Sequence, residues 1–477
     1  MRLLFLCLAA ICVATVTAAA PAFDPKPWIA DLAQTRAALL AKYANIEWVV
    51  EQHEVDLAAL FADTQMRLQH AGSDAEARAA FDRLARKIGD EHLGFRWPKD
   101  GPEATASPDR CVALGYDAHS RGALLAAEAE GYRPLANAQA DEFPAGLLTV
   151  NGTSIGVIKI GVFMPQGYPA LCNEAVRALS VPPDKPCDDA CNDRIDSWVS
   201  DRLTHDFATQ LSALKDAGAT TLVIDIAGNG GGTEWSEAVA RMVTPIRLKA
   251  EELRFVRGEH WTKRFSDDEA ELRGDAQKAK GADRALLLSL ADQIEARKRE
   301  ALAPCDVSPL WSGERPACSW LGKGFYATGL LASADPAALR GKPWAPLLFS
   351  PMEFPYAEGV WRGPLIVLMD RGVGSAASEF AAELQDNRAA VLMGEPSGGG
   401  CGHTDGGTPT ILQNSKAVLS VPDCARFRAD GTNEAMGIQP DVLVGFMAED
   451  GPHLQAKRFL AHLPEALDRA SRLAGAH

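Results

Sequence analysis

Apolar positions recur at helical spacing through the N-terminal part of the chain, in Trp28-Ile29-Ala30-Asp31-Leu32, Leu57-Ala58-Ala59-Leu60-Phe61 and Ala80-Phe81-Asp82-Arg83-Leu84-Ala85. Such spacing places the apolar side chains on one face of each segment and predicts a small helical bundle over residues 21–100. The period is lost at Gly89-Asp90-Glu91-His92-Leu93-Gly94-Phe95. From residue 101 the chain is richer in glycine and proline, with Asn151-Gly152 reading as a turn and Val157-Ile158-Lys159-Ile160 as a strand.

An amphipathic stretch over 194–215 (Trp198, Leu203, Phe207, Leu211, Leu214) leads through Gly218 into the apolar run Thr221-Leu222-Val223-Ile224-Asp225-Ile226. A second apolar run, Leu365-Ile366-Val367-Leu368-Met369, precedes a glycine turn and an alanine-rich helix start. Repetition of strand, glycine turn and helix predicts an α/β core with both sheet faces covered, its first part over 101–262 and its second over 303–477. Residues 263–302 are charge-rich and helical, and read either as an inserted helical cap, able to act as a lid, or as a solvated pair of linker helices.

Composition narrows the setting. Residues 1–20 open with Met1-Arg2, continue as an apolar segment and end in Thr17-Ala18-Ala19-Ala20 before Pro21, the pattern of a cleaved signal peptide and too short to span a bilayer well. The expectation is an exported protein, periplasmic or secreted, with no integral membrane segment. Eight of the ten cysteines lie beyond that leader, at 111, 172, 187, 191, 305, 318, 401 and 424, which favours disulfides in an oxidising compartment. Cys401 and Cys424 flank a hairpin-like stretch and are expected to pair. A zinc site is not expected, because Cys187-x-x-x-Cys191 lacks a matching second half. The net charge of −15 argues against nucleic acid and anionic membranes as partners.

Candidate chemistry gathers at glycine-flanked positions. Ser375, in Arg371-Gly372-Val373-Gly374-Ser375-Ala376-Ala377-Ser378-Glu379, follows a buried strand and opens a helix, which lifts its hydroxyl off the sheet edge in front of helix N-terminal amides. Asp225-Ile226-Ala227-Gly228-Asn229-Gly230-Gly231-Gly232 is a strand followed by a glycine run whose N–H groups can approach a ligand closely. No Gly-Lys-Ser/Thr follows, and Thr233 stands where a dinucleotide-binding loop needs its last glycine, so an oxyanion hole is the better use. A serine hydroxyl needs a base. His92 and His403 are the two candidates.

Together these motifs resemble the carboxyl-terminal processing, or tail-specific, serine peptidases and the related core domain of tricorn protease. Asp225 to Gly232 is similar to their Asp-Leu-Arg-Gly-Asn-Gly-Gly-Gly signature, with Ala227 in the arginine position. Ser375 to Glu379, Leu384-Gln385-Asp386-Asn387-Arg388-Ala389 and Gly394-Glu395-Pro396 resemble the nucleophile helix and the following strand, with the glutamate one place later than usual. The processing peptidases carry a catalytic lysine after that strand. Here the matching segment reads Gly398-Gly399-Gly400-Cys401-Gly402-His403, which excludes a serine–lysine dyad at that position.

The tricorn-like branch uses histidine, and Gly89-Asp90-Glu91-His92 resembles its Asp-Gly-His segment. The resemblance therefore implies Ser375 as nucleophile, His92 as base, Glu434 (in Glu434-Ala435-Met436-Gly437-Ile438-Gln439-Pro440-Asp441) as the acid orienting it, and an oxyanion hole from Gly230 or Gly231 with Ala376. It implies a mixed α/β, crotonase-like ββα core, a protein or peptide substrate, and no metal or organic cofactor. The interval 101–155 is too short for the family's PDZ domain. A histidine base implies activity falling below a pH of about 6.5. Two alternatives stay open: a ligand-binding protein, since the superfamily includes binders of lipid-like molecules, and an exported esterase.

Overall fold

The computed structural model describes residues 23–99, 109–117, 121–137, 139–182, 187–402 and 410–476. The expected leader and His403 lie outside the described residues. Four helices open the fold: α1 (Lys26–Lys42), α2 (Ile46–Glu51), α3 (Leu57–His70) and α4 (Asp74–Ile88). Local chemistry sets their ends. The Asp56 carboxylate accepts from Ala59 N–H to start α3, and Ser73 accepts from Glu76 N–H to start α4. Helix α4 buries Ala77, Ala80, Phe81, Leu84 and Ile88 along one stripe, and stops at Gly89 in the left-handed conformation. The short strand β1 (Gly94–Arg96) follows.

The main sheet has seven strands: β2 (Arg133–Pro134), β3 (Ala145–Val150), β4 (Thr153–Lys159), β5 (Thr221–Asp225), β8 (Leu365–Met369), β9 (Val391–Gly394) and β13 (Val442–Leu443). They lie in the order β13-β9-β8-β5-β4-β3-β2. Pairing is parallel from β4 through β5, β8 and β9 to β13, and antiparallel at the β2–β3–β4 end. Asn151 and Gly152 both have positive φ and close the β3–β4 hairpin, with Val150 opposite Thr153.

Helix α5 (Arg110–Ala113) is joined to α6 (Pro169–Ala178) by Cys111–Cys172, and α7 (Asp189–Asp216), α8 (Trp235–Met242) and α13 (Ala376–Asp386) cover one sheet face. The C-terminal helix α14 (Pro452–Ala474) covers the other. Strands β5 and β8 are buried at every residue, and successive side chains feed the two opposite cores. Between 109 and 182 the described residues join this sheet and its flanking helices, and no PDZ domain is evident.

The expected helical segment is a hairpin of α9 (Glu259–Lys278) and α10 (Gly281–Ala301). It is neither a solvated linker nor detached from the rest. Trp261, Phe265, Leu272, Leu287, Leu290 and Ile294 are buried in the same core as Phe61, Phe81 and Leu84 of the bundle. That core also takes the antiparallel sheet of β6 (Glu252–Val256), β7 (Leu321–Tyr326) and β12 (Cys424–Phe427), and the single-turn helices α11 (Pro336–Leu339) and α12 (Ala345–Leu348). A third sheet pairs β1 with β11 (Val418–Ser420), which also pairs with β10 (Thr410–Ile411). The β1–β11 ladder ties the end of the bundle to the C-terminal half of the chain.

Candidate active site

Strand β8 runs straight into the turn that carries Ser375. Gly372 N–H donates to Asp370 Oδ1 at 3.0 Å, Gly374 N–H donates to Asn229 O at 3.2 Å, and Ala377 N–H donates to Gly374 O at 3.0 Å. Ser375 itself sits at φ 50°, ψ −127° as the cap of α13, and its side chain makes no capping bond. A non-glycine residue held at positive φ costs on the order of 1–3 kcal/mol and persists only where its surroundings dictate it. The other serine of the motif differs: Ser378 is fully buried, its hydroxyl bonded to Ser397 Oγ at 3.0 Å and Val373 O at 3.3 Å.

The glycine run after β5 presses against this turn. Asp225 pairs with buried Lys159 at 3.1 Å and accepts the N–H groups of Ala227 and Leu125, both at 2.9 Å, so the strand end is anchored. Asn229, also fully buried, donates to Ile160 O and accepts Gly231 N–H at 2.9 Å. A Cβ on Gly231 would lie 2.7 Å from Ser375 Cβ and 2.8 Å from Ala376 N, so only glycine permits this approach. The two glycine candidates for the oxyanion hole thereby separate. Gly231 N–H is turned inward to Asn229, and corrects the expectation that either glycine could donate. Among the described residues the N–H groups of Gly230 and Ala376 have no acceptor within the protein.

His92 reaches the same place from the bundle. Asp90, just past the end of α4, accepts from Tyr43 Oη at 2.9 Å, Asn45 Nδ2 at 3.0 Å and His92 N–H at 3.0 Å. Its Oδ1 stands 3.8 Å from His92 Nδ1. The imidazole lies over the 398–402 loop, where a Cβ on Gly402 would overlap the ring and one on Gly400 would come within 3.6 Å of Nδ1. Glu91 packs where a Cβ on Gly398 would overlap its Oε2 and one on Gly374, in the Ser375 turn, would meet it at 3.4 Å; burial, with Asp90 second, raises its carboxyl above the ordinary range. Gly374 and Gly399 are bridged as strand partners. One loop thus contacts both the serine turn and the histidine. Cys401–Cys424 clamps that loop to β12, and the other bridges are Cys187–Cys191 and Cys305–Cys318.

Glu434 is buried in this region, but it does not face His92 as the sequence led us to expect. Both its oxygens accept from Arg426, Oε1 from Nη2 at 3.0 Å and Oε2 from Nε. Arg426 Nη1 donates to Glu379, and Nη2 donates to two main-chain carbonyls, Ser375 O at 3.1 Å and Gly400 O at 2.9 Å. A carboxylate that does stand beside the imidazole is Asp90, with Oδ1 3.8 Å from Nδ1. Burial raises the Glu434 carboxyl against the pull of Arg426, and burial with the Glu434 charge pushes Glu251 well up. Burial alone would lower the Arg426 guanidinium; Glu434 and Glu379 outweigh it and raise it. Arg426 was missed in the sequence, where its one signal is a lone arginine in the apolar run Cys424-Ala425-Arg426-Phe427.

This arrangement offers a partly exposed hydroxyl, an imidazole with a carboxylate oxygen 3.8 Å from Nδ1, and N–H groups beside the hydroxyl that no acceptor among the described residues engages. The family model for peptidase family S41 matches residues 194–444. No curated protein sequence matches the chain. Among solved structures, mature CPAF superposes with a TM-score of 0.59 at 13% identity, covering 95% of this chain and 98% of that one. Mature CPAF complexed with lactacystin gives 0.52 at 13% identity over 95% and 99%. The photosystem II D1 C-terminal processing protease gives 0.32 at 12% identity over 91% and 97%. The first two share the fold with this chain.

Proposed function

Given that the chain belongs to peptidase family S41 and is a serine-type peptidase, we propose that it is an exported enzyme cutting polypeptides through Ser375 and His92. Ser375 Oγ attacks the peptide carbonyl carbon while His92 takes the hydroxyl proton. The carbonyl oxygen, now an oxyanion, accepts from Gly230 and Ala376 N–H. His92 returns the proton to the departing amine, leaving an acyl-serine. A water then attacks the ester by the same route, regenerating the hydroxyl and releasing the acid.

Asp90 orients His92, and Glu434 acts one step back, holding Arg426 on the carbonyls of Ser375 and Gly400. The Ser375 hydroxyl makes no hydrogen bond among the described residues, and its approach to the imidazole tightens when substrate binds. The observation that carries the reading is the Ser375 turn, held at positive φ against Gly231 with the Ala376 amide beside it. Export is supported by the leader-like residues 1–20 and by four disulfides, which persist in oxidising compartments.

The test is cleavage of a reduced, alkylated protein substrate. Ser375→Ala should abolish it and His92→Ala should lower it by roughly a hundred- to ten-thousand-fold. Ester turnover without polypeptide cleavage would favour an esterase, and absence of both a ligand-binding protein. Cell fractionation that finds the chain in the cytoplasm with its leader attached would refute export.

A further inference from the structure

The strands that deliver the catalytic loops also end at a large cavity. Its volume is about 870 Å³. Ala227 follows β5, Asp370 and Arg371 follow β8, and Glu395 follows β9, and all four residues line it. Phe446 and Met447, just past β13, also line it, as do Leu124, Leu125, Tyr132 and Leu135. Carboxyl ends of parallel strands are where α/β sheets bind ligands, and the volume falls in the range of real sites.

Ser375, His92 and Gly230 do not line the cavity, yet it is near them. Arg371 is four residues before Ser375, and Ala227 three before Gly230. At about 3.3–3.6 Å per extended residue, the cavity wall is at most roughly 14 Å from the nucleophile along the chain. An extended substrate covers that span in about four residues. Asp370 connects the two places: its Oδ1 accepts Gly228 N–H at 2.7 Å and Gly372 N–H at 3.0 Å, one from each catalytic loop.

We propose that this cavity is a substrate subsite for an apolar side chain flanked by a basic residue, about four residues from the scissile bond. The proposal rests on Ser375 being the nucleophile. Leu124, Leu125, Leu135, Phe446 and Met447 supply the apolar surface, and Met447 is 57% exposed. Charge sets the second preference. Three carboxylates, Glu128, Asp370 and Glu395, face a single guanidinium, Arg371, which lies 3.2 Å from Glu395. An acidic segment is repelled from such a rim, and a lysine or arginine beside the apolar anchor is drawn to it.

The experiment measures binding apart from catalysis. Fluorescein-labelled Gly/Ser peptides with a central Leu-Lys-Leu, Leu-Glu-Leu or Ser-Lys-Ser are titrated against the full chain carrying Ser375→Ala, with anisotropy as readout. Leu-Lys-Leu should bind about tenfold tighter than either control, a difference of about 1.4 kcal/mol. Ala127→Trp, at an exposed lining position, should remove that advantage without lowering the melting temperature. Equal affinity for the three peptides, or indifference to Ala127→Trp, would overturn the proposal. In the otherwise native chain, Ala127→Trp should raise KM for a polypeptide bearing Leu-Lys-Leu about tenfold, with kcat and fluorophosphonate labelling of Ser375 unchanged. If the native chain shows no labelling of Ser375, the nucleophile assignment fails, while the anisotropy comparison still decides the cavity.

Discussion

Among the described residues Arg241 and Arg426 are the two buried guanidinium groups, and they use their donors differently. Arg241 binds Glu237 O and Oε2, both at 2.7 Å, and both oxygens of Glu383, with the Phe349 ring 4.9 Å away. Those contacts lie within α8, join it to α13 through Glu383, or pack beside them through Phe349. Arg426 has the same kind of carboxylate shell, Glu434 and Glu379, but Nη2 also reaches the carbonyls of Ser375 and Gly400. Burying a charge is costly, and breaking a buried pair leaves its partner uncompensated. The first arginine therefore bears on stability, and the second on stability and on the shape of the site.

The sharpest way to break that comparison is to remove each cation. Arg426→Met combined with Glu434→Gln should lower turnover per folded molecule by at least about a hundredfold, the scale of a lost oxyanion donor. Arg241→Met should cost about 3–5 kcal/mol of stability by the buried-pair precedent and leave turnover per folded molecule within about threefold. Denaturant titration beside initial rates separates the two; equal loss of turnover in both variants would erase the distinction. Gly231→Ala follows. Its Cβ would collide with the Ser375 turn, and turnover should fall about a hundredfold, measured at a temperature where the variant remains folded.

The disulfide beside Arg426 offers a smaller effect. Cys401 and Cys424 are 23 positions apart, so replacing both with serine should cost about 3 kcal/mol on loop-closure grounds and reduce turnover with it. Replacing Cys187 and Cys191, four positions apart, should cost less and leave turnover unchanged. The smallest effect is on pH. Burial raises Glu237 and Glu383 near Arg241, and Glu251 and Glu434 near Arg426. The folded protein then holds more protons than the unfolded chain above the ordinary glutamate value of about 4.3. That contribution is fully present below this value and is lost as pH rises through the raised folded values, so the melting temperature should fall from pH 5 to pH 8. Glu251→Gln should flatten the decline, and an unchanged slope would count against the raised Glu251 carboxyl.

How much of this was readable beforehand depended on whether the chemistry was local. The Ser375 turn, the glycine run and the Asn151-Gly152 hairpin are short-range backbone geometries, written in adjacent residues. The Cys401–Cys424 pairing was legible for the same reason, since the two residues flank one hairpin-like stretch. Cys111–Cys172 was not, because its halves lie on separate helices. The partner of Glu434 was likewise hidden: Arg426 has no motif of its own, and it joins Glu379, Ser375 and Gly400 only once β12 is laid against the Ser375 turn. The inward turn of Gly231 N–H depends on the Asn229 rotamer, which no spacing rule encodes. The charge-rich segment left two readings open for a different reason. Its many ion-pairing residues masked the sparse apolar stripe that roots α9 and α10 in the bundle core.

On this reading a nucleophilic Ser375 is shaped by Arg426. The most direct measurement is the rate of fluorophosphonate labelling, with the adduct mapped by peptide mass, in the native chain, Ser375→Ala, and the Arg426 and Arg241 variants. An adduct is expected on Ser375, with none in Ser375→Ala, labelling slowed by at least about a hundredfold on losing Arg426, and a near-native rate on losing Arg241. An adduct on another residue, or equal rates in the two arginine variants, would contradict this reading.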